Sequence, residues 1–103
     1  MGYRSEVLIV IPTKLLEGKK LPEFLEEKEI NRKEHEALTY FQVGGVKYYE
    51  SYPDIKELES FMQDLGYENY AFIRVGEDYD DVETNGELEH EAWISREIVL
   101  PFG

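Results

Sequence analysis

The segment Ser5–Pro12 (SEVLIVIP) constrains the fold more than any other part of the chain. A strand with one wet face alternates apolar and polar residues. This one is β-branched and apolar on both of its alternating faces, which predicts a strand buried on both sides and therefore central in a sheet. Pro12 stops it, because proline cannot donate to a strand ladder.

The remaining elements follow from periodicity and punctuation. Leu21–Ile30 reads as a helix: Pro22 suits its first turn, Glu23, Glu26 and Glu27 favour its N-terminal half, and Leu21, Phe24 and Leu25 form a stripe. Residues 31–36 (NRKEHE) are all polar and read as a loop or fraying helix end. Ala37–Val43 and Val46–Ser51 read as strands joined at Gly44-Gly45, since a type I′ turn needs positive φ at both central residues. Asp54–Leu65 has Ile55, Leu58, Phe61, Met62 and Leu65 at helical spacing, Asp54 and Glu57 at capping-box spacing, and Gly66 just past its end. Tyr70–Val75 and Ala92–Leu100 read as two more strands, and Asn85-Gly86 between them is a hairpin signal.

The first six elements, strand–helix–strand–strand–helix–strand, match the ferredoxin-like split βαββαβ pattern. The expectation is an α+β fold: one domain over residues 1–103, an antiparallel or mixed sheet with two helices on one face, and a C-terminal hairpin extending it. A chain of 103 residues with 42% hydrophobic content can build one packed core.

Composition bounds function. The chain has no cysteine, so disulfides and thiolate metal sites are excluded and a reducing compartment is expected. Its longest apolar run, Val7–Pro12, is far short of a membrane span, and Glu6 precedes it, unlike a secretory signal. Met1-Gly2 begins a myristoylation motif, but Glu6 stands where Ser or Thr is required. A cytoplasmic location is expected. The net charge of −12 gives no basic face to displace counterions from nucleic acid or to attract anionic lipid.

That charge is concentrated. Residues 77–91 carry eight acidic side chains and no Lys or Arg, two thirds of the net charge in fifteen residues. If Asn85-Gly86 is a two-residue turn, Asp81 pairs with His90 and Asp80 lies opposite Glu91, with Asp78 and Glu89 nearby. Facing carboxylates cost about 0.2–1 kcal/mol per pair, so a cation, a basic partner or a bulge is needed to offset them. Asp81, Glu83 and Asn85 followed by Gly86 fit the first half of a calcium loop, but the twelfth position is Ala92 instead of a bidentate Glu. A solvated hairpin that resists edge-to-edge aggregation is the plainest explanation. The functional one is a surface for lysines and arginines of another protein, and it becomes DNA mimicry if the carboxylates are spaced like phosphates.

Tyr48, Tyr49 and Tyr52 form a second candidate surface, since tyrosine is enriched in interface cores. Tyr48 and Tyr49 should face opposite ways, one to the core and one outward; ordinary β-propensity and helix–sheet packing are the plainer account of them. His90 among carboxylates is expected to have a raised pKa. Arg74 borders the acidic segment and should form a cross-strand pair, with Glu97 among the candidates. Catalysis has little support: there is no nucleophile elbow, P-loop or dinucleotide motif, and nothing calls for a cofactor.

The segments YRSEVLIVI, VKYYESYPDIKELESFM and FIRVGEDYDDVE resemble, in that order, a set of small uncharacterised bacteriophage and prophage proteins with G-Y-R-S, V-K-[WY]-Y-[DE]-S-Y and F-I-R-[IV]-G-E-D motifs. Tyr48 stands here where those proteins commonly have Trp. The resemblance brings no assigned activity. It implies a phage context, in which small acidic proteins often inhibit host enzymes or defence systems.

The functional expectation is thus a non-enzymatic module that binds a basic surface on a host protein. Its site would be Glu77, Asp78, Asp80, Asp81, Glu83, Glu89 and Glu91 with Tyr49 and Tyr79. The alternative is a module for a small ligand, a nucleotide or a divalent cation, with Asp81, Glu83 and Asn85 as candidate metal ligands.

Overall fold

A computed structural model describes residues 4–26, 30–49, 51–78, 80–95 and 97–101. Five strands form one antiparallel sheet: β1 (Ser5–Pro12), β2 (Asn31–His35), β3 (Leu38–Val46), β4 (Ala71–Val75) and β5 (Val82–Asn85). Their order across the sheet is β2-β3-β1-β4-β5, so β1 is central, as its two-sided apolar pattern predicts. Helix α1 (Pro53–Leu65) connects β3 to β4. Two short strands, β6 (Trp93–Ser95) and β7 (Glu97–Val99), pair with each other in a separate two-stranded sheet. The protein is therefore α+β, with one α-helix among the described residues.

Both faces of β1 are covered. Val7, Ile9 and Ile11 pack with Phe41 and Phe72 beneath Ile55, Leu58, Met62 and Leu65 of α1 and beneath Phe24 and Leu25. Leu8 and Val10 pack on the opposite face with Tyr40, Ala71, Ile73, Val75 and Ile98, and the C-terminal segment supplies Leu88, Ala92 and Leu100 as cover. That segment is fastened by polar bonds. The Ile98 amide donates to Glu6 Oε1 at 2.9 Å, Gln42 Nε2 donates to Glu6 Oε2 and to the Ile98 carbonyl at 3.0 Å each, and the Glu91 amide donates to the Tyr40 hydroxyl at 3.2 Å.

Four local expectations are corrected. First, Gly44-Gly45 is not a hairpin turn. The register moves from Ser5↔Val46 to Val7↔Val43, so β3 carries one extra residue opposite β1 there. A glycine pair can mark a bulge as readily as a turn. Pairing all of β3 with the central strand outweighs the local turn preference.

Second, the turn that closes β2 onto β3 is Glu36-Ala37, at φ 49° and 68°. The polar stretch expected as a loop is thus an edge strand, Asn31–His35, with Arg32 stacked over the Phe41 ring at 5.2 Å. Third, Glu23–Glu26 forms a single turn of 3-10 helix in place of the longer helix expected over 21–30, whose residues 27–29 lie outside the described set. Leu21 and Pro22 before that turn are not helical, and β2 begins at Asn31, opposite Gln42.

Fourth, α1 has no capping box. Its N-cap is Tyr52, Asp54 Oδ1 accepts the next amide, and Glu57 Oε1 instead accepts the Glu23 amide at 2.7 Å, tying α1 to the 3-10 turn. The expected C-terminal glycine is in place: Gly66, at φ 94°, donates its amide to the Gln63 carbonyl.

Candidate functional site

The acidic segment does not fold back on itself. Its strand, β5, pairs with β4, placing Glu83 opposite Arg74 and Asn85 opposite Phe72. Residues 76–81 make the connecting turn, closed by the Gly76 amide on the Asp81 carbonyl at 2.8 Å and the Asp81 amide on the Asp78 carbonyl at 3.0 Å. Asn85-Gly86 ends the strand without reversing it. The chain then crosses the start of β4, with the Glu87 amide on the Tyr67 carbonyl and the Leu88 amide on the Tyr70 carbonyl. The expected oppositions of Asp80 with Glu91 and Asp81 with His90 are absent.

Arg74 organises the β4–β5 edge. Its side chain is 16% exposed and uses three nitrogens. Nη2 and Nη1 donate to the two oxygens of Asp81 at 3.1 and 3.3 Å, Nε donates to Glu83 at 3.0 Å, and Nη1 also reaches the hydroxyl of buried Ser5 at 2.9 Å. Burial alone would lower the guanidinium pKa, but the hydrogen bonds and charges of Asp81 and Glu83 outweigh it and raise it further. Arg74 thus has the cross-strand role expected, with Asp81 and Glu83 as partners. Of the candidate metal ligands, Asp81 and Glu83 are thus both held by Arg74, and Asn85 Oδ1 accepts the Gly86 amide at 3.3 Å.

Beside this edge a groove of about 240 Å³ opens between α1 and β5. Tyr48, Met62, Tyr70 and Phe72 supply its apolar lining, and Glu59 and Glu83 its charge. Tyr48 lies 5.5 Å from the Phe72 ring and edge-on to Phe24 at 6.4 Å, and its hydroxyl donates to Glu59 Oε2 at 3.2 Å. Burial first, then the Glu59 charge and hydrogen bond, push the Tyr48 phenol far above its ordinary range; Glu83 adds to this and Arg74 opposes it. Glu59 was not among the sequence candidates, because in so acidic a chain one helical carboxylate carries no distinguishing mark.

The other expected residues do not all lie at this edge. Glu77, Asp78, Asp80 and Glu89 are exposed, and Tyr79 lies outside the described residues. Tyr49 is half-buried and stacks edge-on against exposed Tyr52 at 5.3 Å, whereas Tyr48 is the tyrosine that packs on the core. Glu91 reaches the opposite side of the sheet, where its carboxylate meets His35 Nε2 on β2 at 2.9 Å. Four inter-strand steps, roughly 19 Å, separate β2 from β5, about two Debye lengths at physiological salt.

His35, Glu36 and Glu91 are the one group of three potential ligands among the described residues whose donor atoms converge, within 4.8 Å of one another. Its plain role is the His35–Glu91 contact beside the β2–β3 turn. His90 is half-buried, and burial lowers its pKa, contrary to the expectation of a raised value. Its Nδ1 accepts the Ala92 amide at 3.2 Å, so the neutral ring carries its proton on Nε2.

No protein-family model, curated protein or solved structure matches this chain. No helix among the described residues is long and apolar enough to cross a membrane.

Proposed function

We propose that this chain is a non-enzymatic protein-binding module that engages a basic surface on its partner through the carboxylates of residues 77–91. The observation that carries the reading is an imbalance of charge. Eight acidic side chains fall in this segment; among the described residues Arg74 pairs with Asp81 and Glu83, and His35 contacts Glu91. Glu77, Asp80, Glu87 and Glu89 remain exposed and without an ion pair among the described residues. Exposed unpaired carboxylates on a chain of net charge −12 steer association with a cationic surface and repel nucleic acid.

The motifs around Ser5, Tyr48 and Arg74 support a bacteriophage or prophage setting, and with it a host enzyme or defence factor as the partner. The strand order β2-β3-β1-β4 supports a ferredoxin-like ancestry in which the first helix has shrunk to 3-10 turns.

The test is capture of partners from a bacterial lysate by the wild type and by a variant carrying Glu77→Gln, Asp80→Asn, Glu87→Gln and Glu89→Gln, at low and high salt. The wild type should hold a partner that high salt or the four substitutions release. A partner retained equally by both proteins in high salt would overturn the reading.

A further inference from the structure

Resting on that reading, we propose that the groove between α1 and β5 is an anchor pocket for one arginine side chain of the basic partner. Its volume, about 240 Å³, is below the ~300–1,000 Å³ of pockets that hold drug-sized ligands, so it suits a single side chain better than a nucleotide. Its lining has the two halves that a guanidinium requires. Half-buried Tyr48, with Tyr70 and Phe72 buried behind it, gives an apolar wall for the stem and the cation; Glu59 supplies negative charge from the helix, and Glu83, which shares Arg74 with Asp81, supplies it from the strand. Among the described residues no lysine or arginine lines it.

Arginine is favoured over lysine by geometry. A planar fork of five donors can serve several acceptors at once, and Gln63 and Asn85 border the groove beside Glu59 and Glu83; an ammonium is a compact point charge. The carboxylates are held in readiness. Glu59 Oε2 is fixed by the Tyr48 hydroxyl and Glu83 Oε1 by Arg74 Nε. Each anchor uses one oxygen of its carboxylate.

Access comes from the sheet edge. β5 is the last strand of the sheet, and all four of its residues are exposed. An extended basic segment can lie along that edge and turn one side chain into the groove, the way peptides are commonly read at open strands.

The experiment is an amide-resolved NMR titration of the full chain with a capped Gly-Gly-Arg-Gly-Gly peptide, its citrulline counterpart, and arginine amide alone. Citrulline keeps the shape and removes the charge. The arginine peptide should perturb Tyr48, Glu59, Met62, Phe72 and Glu83 first, the citrulline peptide should bind at least tenfold more weakly, and Glu59→Gln should cost at least fivefold while leaving the rest of the spectrum unchanged. Shifts centred on Glu77, Asp80, Glu87 and Glu89, equal binding of citrulline, or wild-type affinity in Glu59→Gln would overturn the pocket. Arginine amide binding as tightly as the peptide would overturn the protein-segment assignment in favour of a free small molecule. If lysate capture survives Glu59→Gln but not the fourfold surface variant, the acidic-surface reading stands and the pocket falls.

Discussion

Arg74 grips Asp81 with both terminal nitrogens, at 3.1 and 3.3 Å, and so converts the most acidic turn of the chain into a structural clasp. The same guanidinium holds Glu83 and the buried Ser5 hydroxyl, linking β1, β4 and the turn before β5. Replacing Arg74 with Met should destabilise the protein by about 2–3 kcal/mol, because hydrogen bonds to charged groups are lost and two carboxylates are left facing each other. Arg74→Lys should recover only part of this, since an ammonium cannot bind in the same bidentate way. Urea unfolding checks both. A loss under about 0.5 kcal/mol for Arg74→Met, within the usual range for surface changes, would show that the clasp contributes nothing.

Gly86 should be the least replaceable glycine. Its φ is +80°, and a Cβ there would lie 2.1 Å from the Tyr70 carbonyl oxygen. Gly86→Ala should cost about 3 kcal/mol or more, from strain together with loss of the Leu88–Tyr70 bond. Gly44→Ala meets nothing within 4 Å and has no positive φ, so its effect should fall between zero and about 1 kcal/mol of stabilisation. Thermal melts of the two variants should bracket the wild type or nearly so.

The Glu36-Ala37 turn stores removable strain. Both residues have positive φ without being glycine, at about 1–2 kcal/mol each for an ordinary side chain. Glu36→Asn with Ala37→Gly installs the favoured type I′ pair and should raise stability by about 1–2 kcal/mol. Denaturation midpoints decide it, and no gain would mean that contacts of Glu36 outweigh its backbone strain.

Glu6 governs the cover over the second sheet face. Its carboxylate accepts the Ile98 amide and Gln42, so Glu6→Ala should leave the Ile98 amide without its acceptor and Gln42 with the Ile98 carbonyl alone, at about 1–3 kcal/mol. Hydrogen exchange at Ile98 and Glu91 should accelerate well before that of Ile9 in the centre of the sheet. Equal acceleration everywhere would mean global loss of stability in place of local release.

His90 sets a pH limit. Burial lowers its folded pKa below the ordinary 6.5, so the unfolded chain takes up the proton first. Its contribution is complete above about pH 6.5 and is lost as pH falls through the lower folded value. His90→Asn, which keeps an acceptor for the Ala92 amide, should flatten the fall in melting temperature between neutral and mildly acidic pH. An unchanged slope would exclude His90 as its source.

The central strand and α1 were legible in the chain because their signals are local: an unbroken apolar run, and apolar residues at helical spacing ended by Gly66. The concentration of negative charge in residues 77–91 is likewise a property of the sequence alone. What the sequence left open was partnership. Gly44-Gly45 and Asn85-Gly86 are equally good turn signals, yet one became a bulge and the other a strand end. Which strand a segment pairs with depends on covering the two faces of β1, and that burial outweighs the few tenths to one kcal/mol of a turn preference. Only the tertiary structure therefore decided that Asp81 and Glu83 face Arg74, that Glu91 joins His35 across the sheet, and that Glu59 and Glu83 flank one groove.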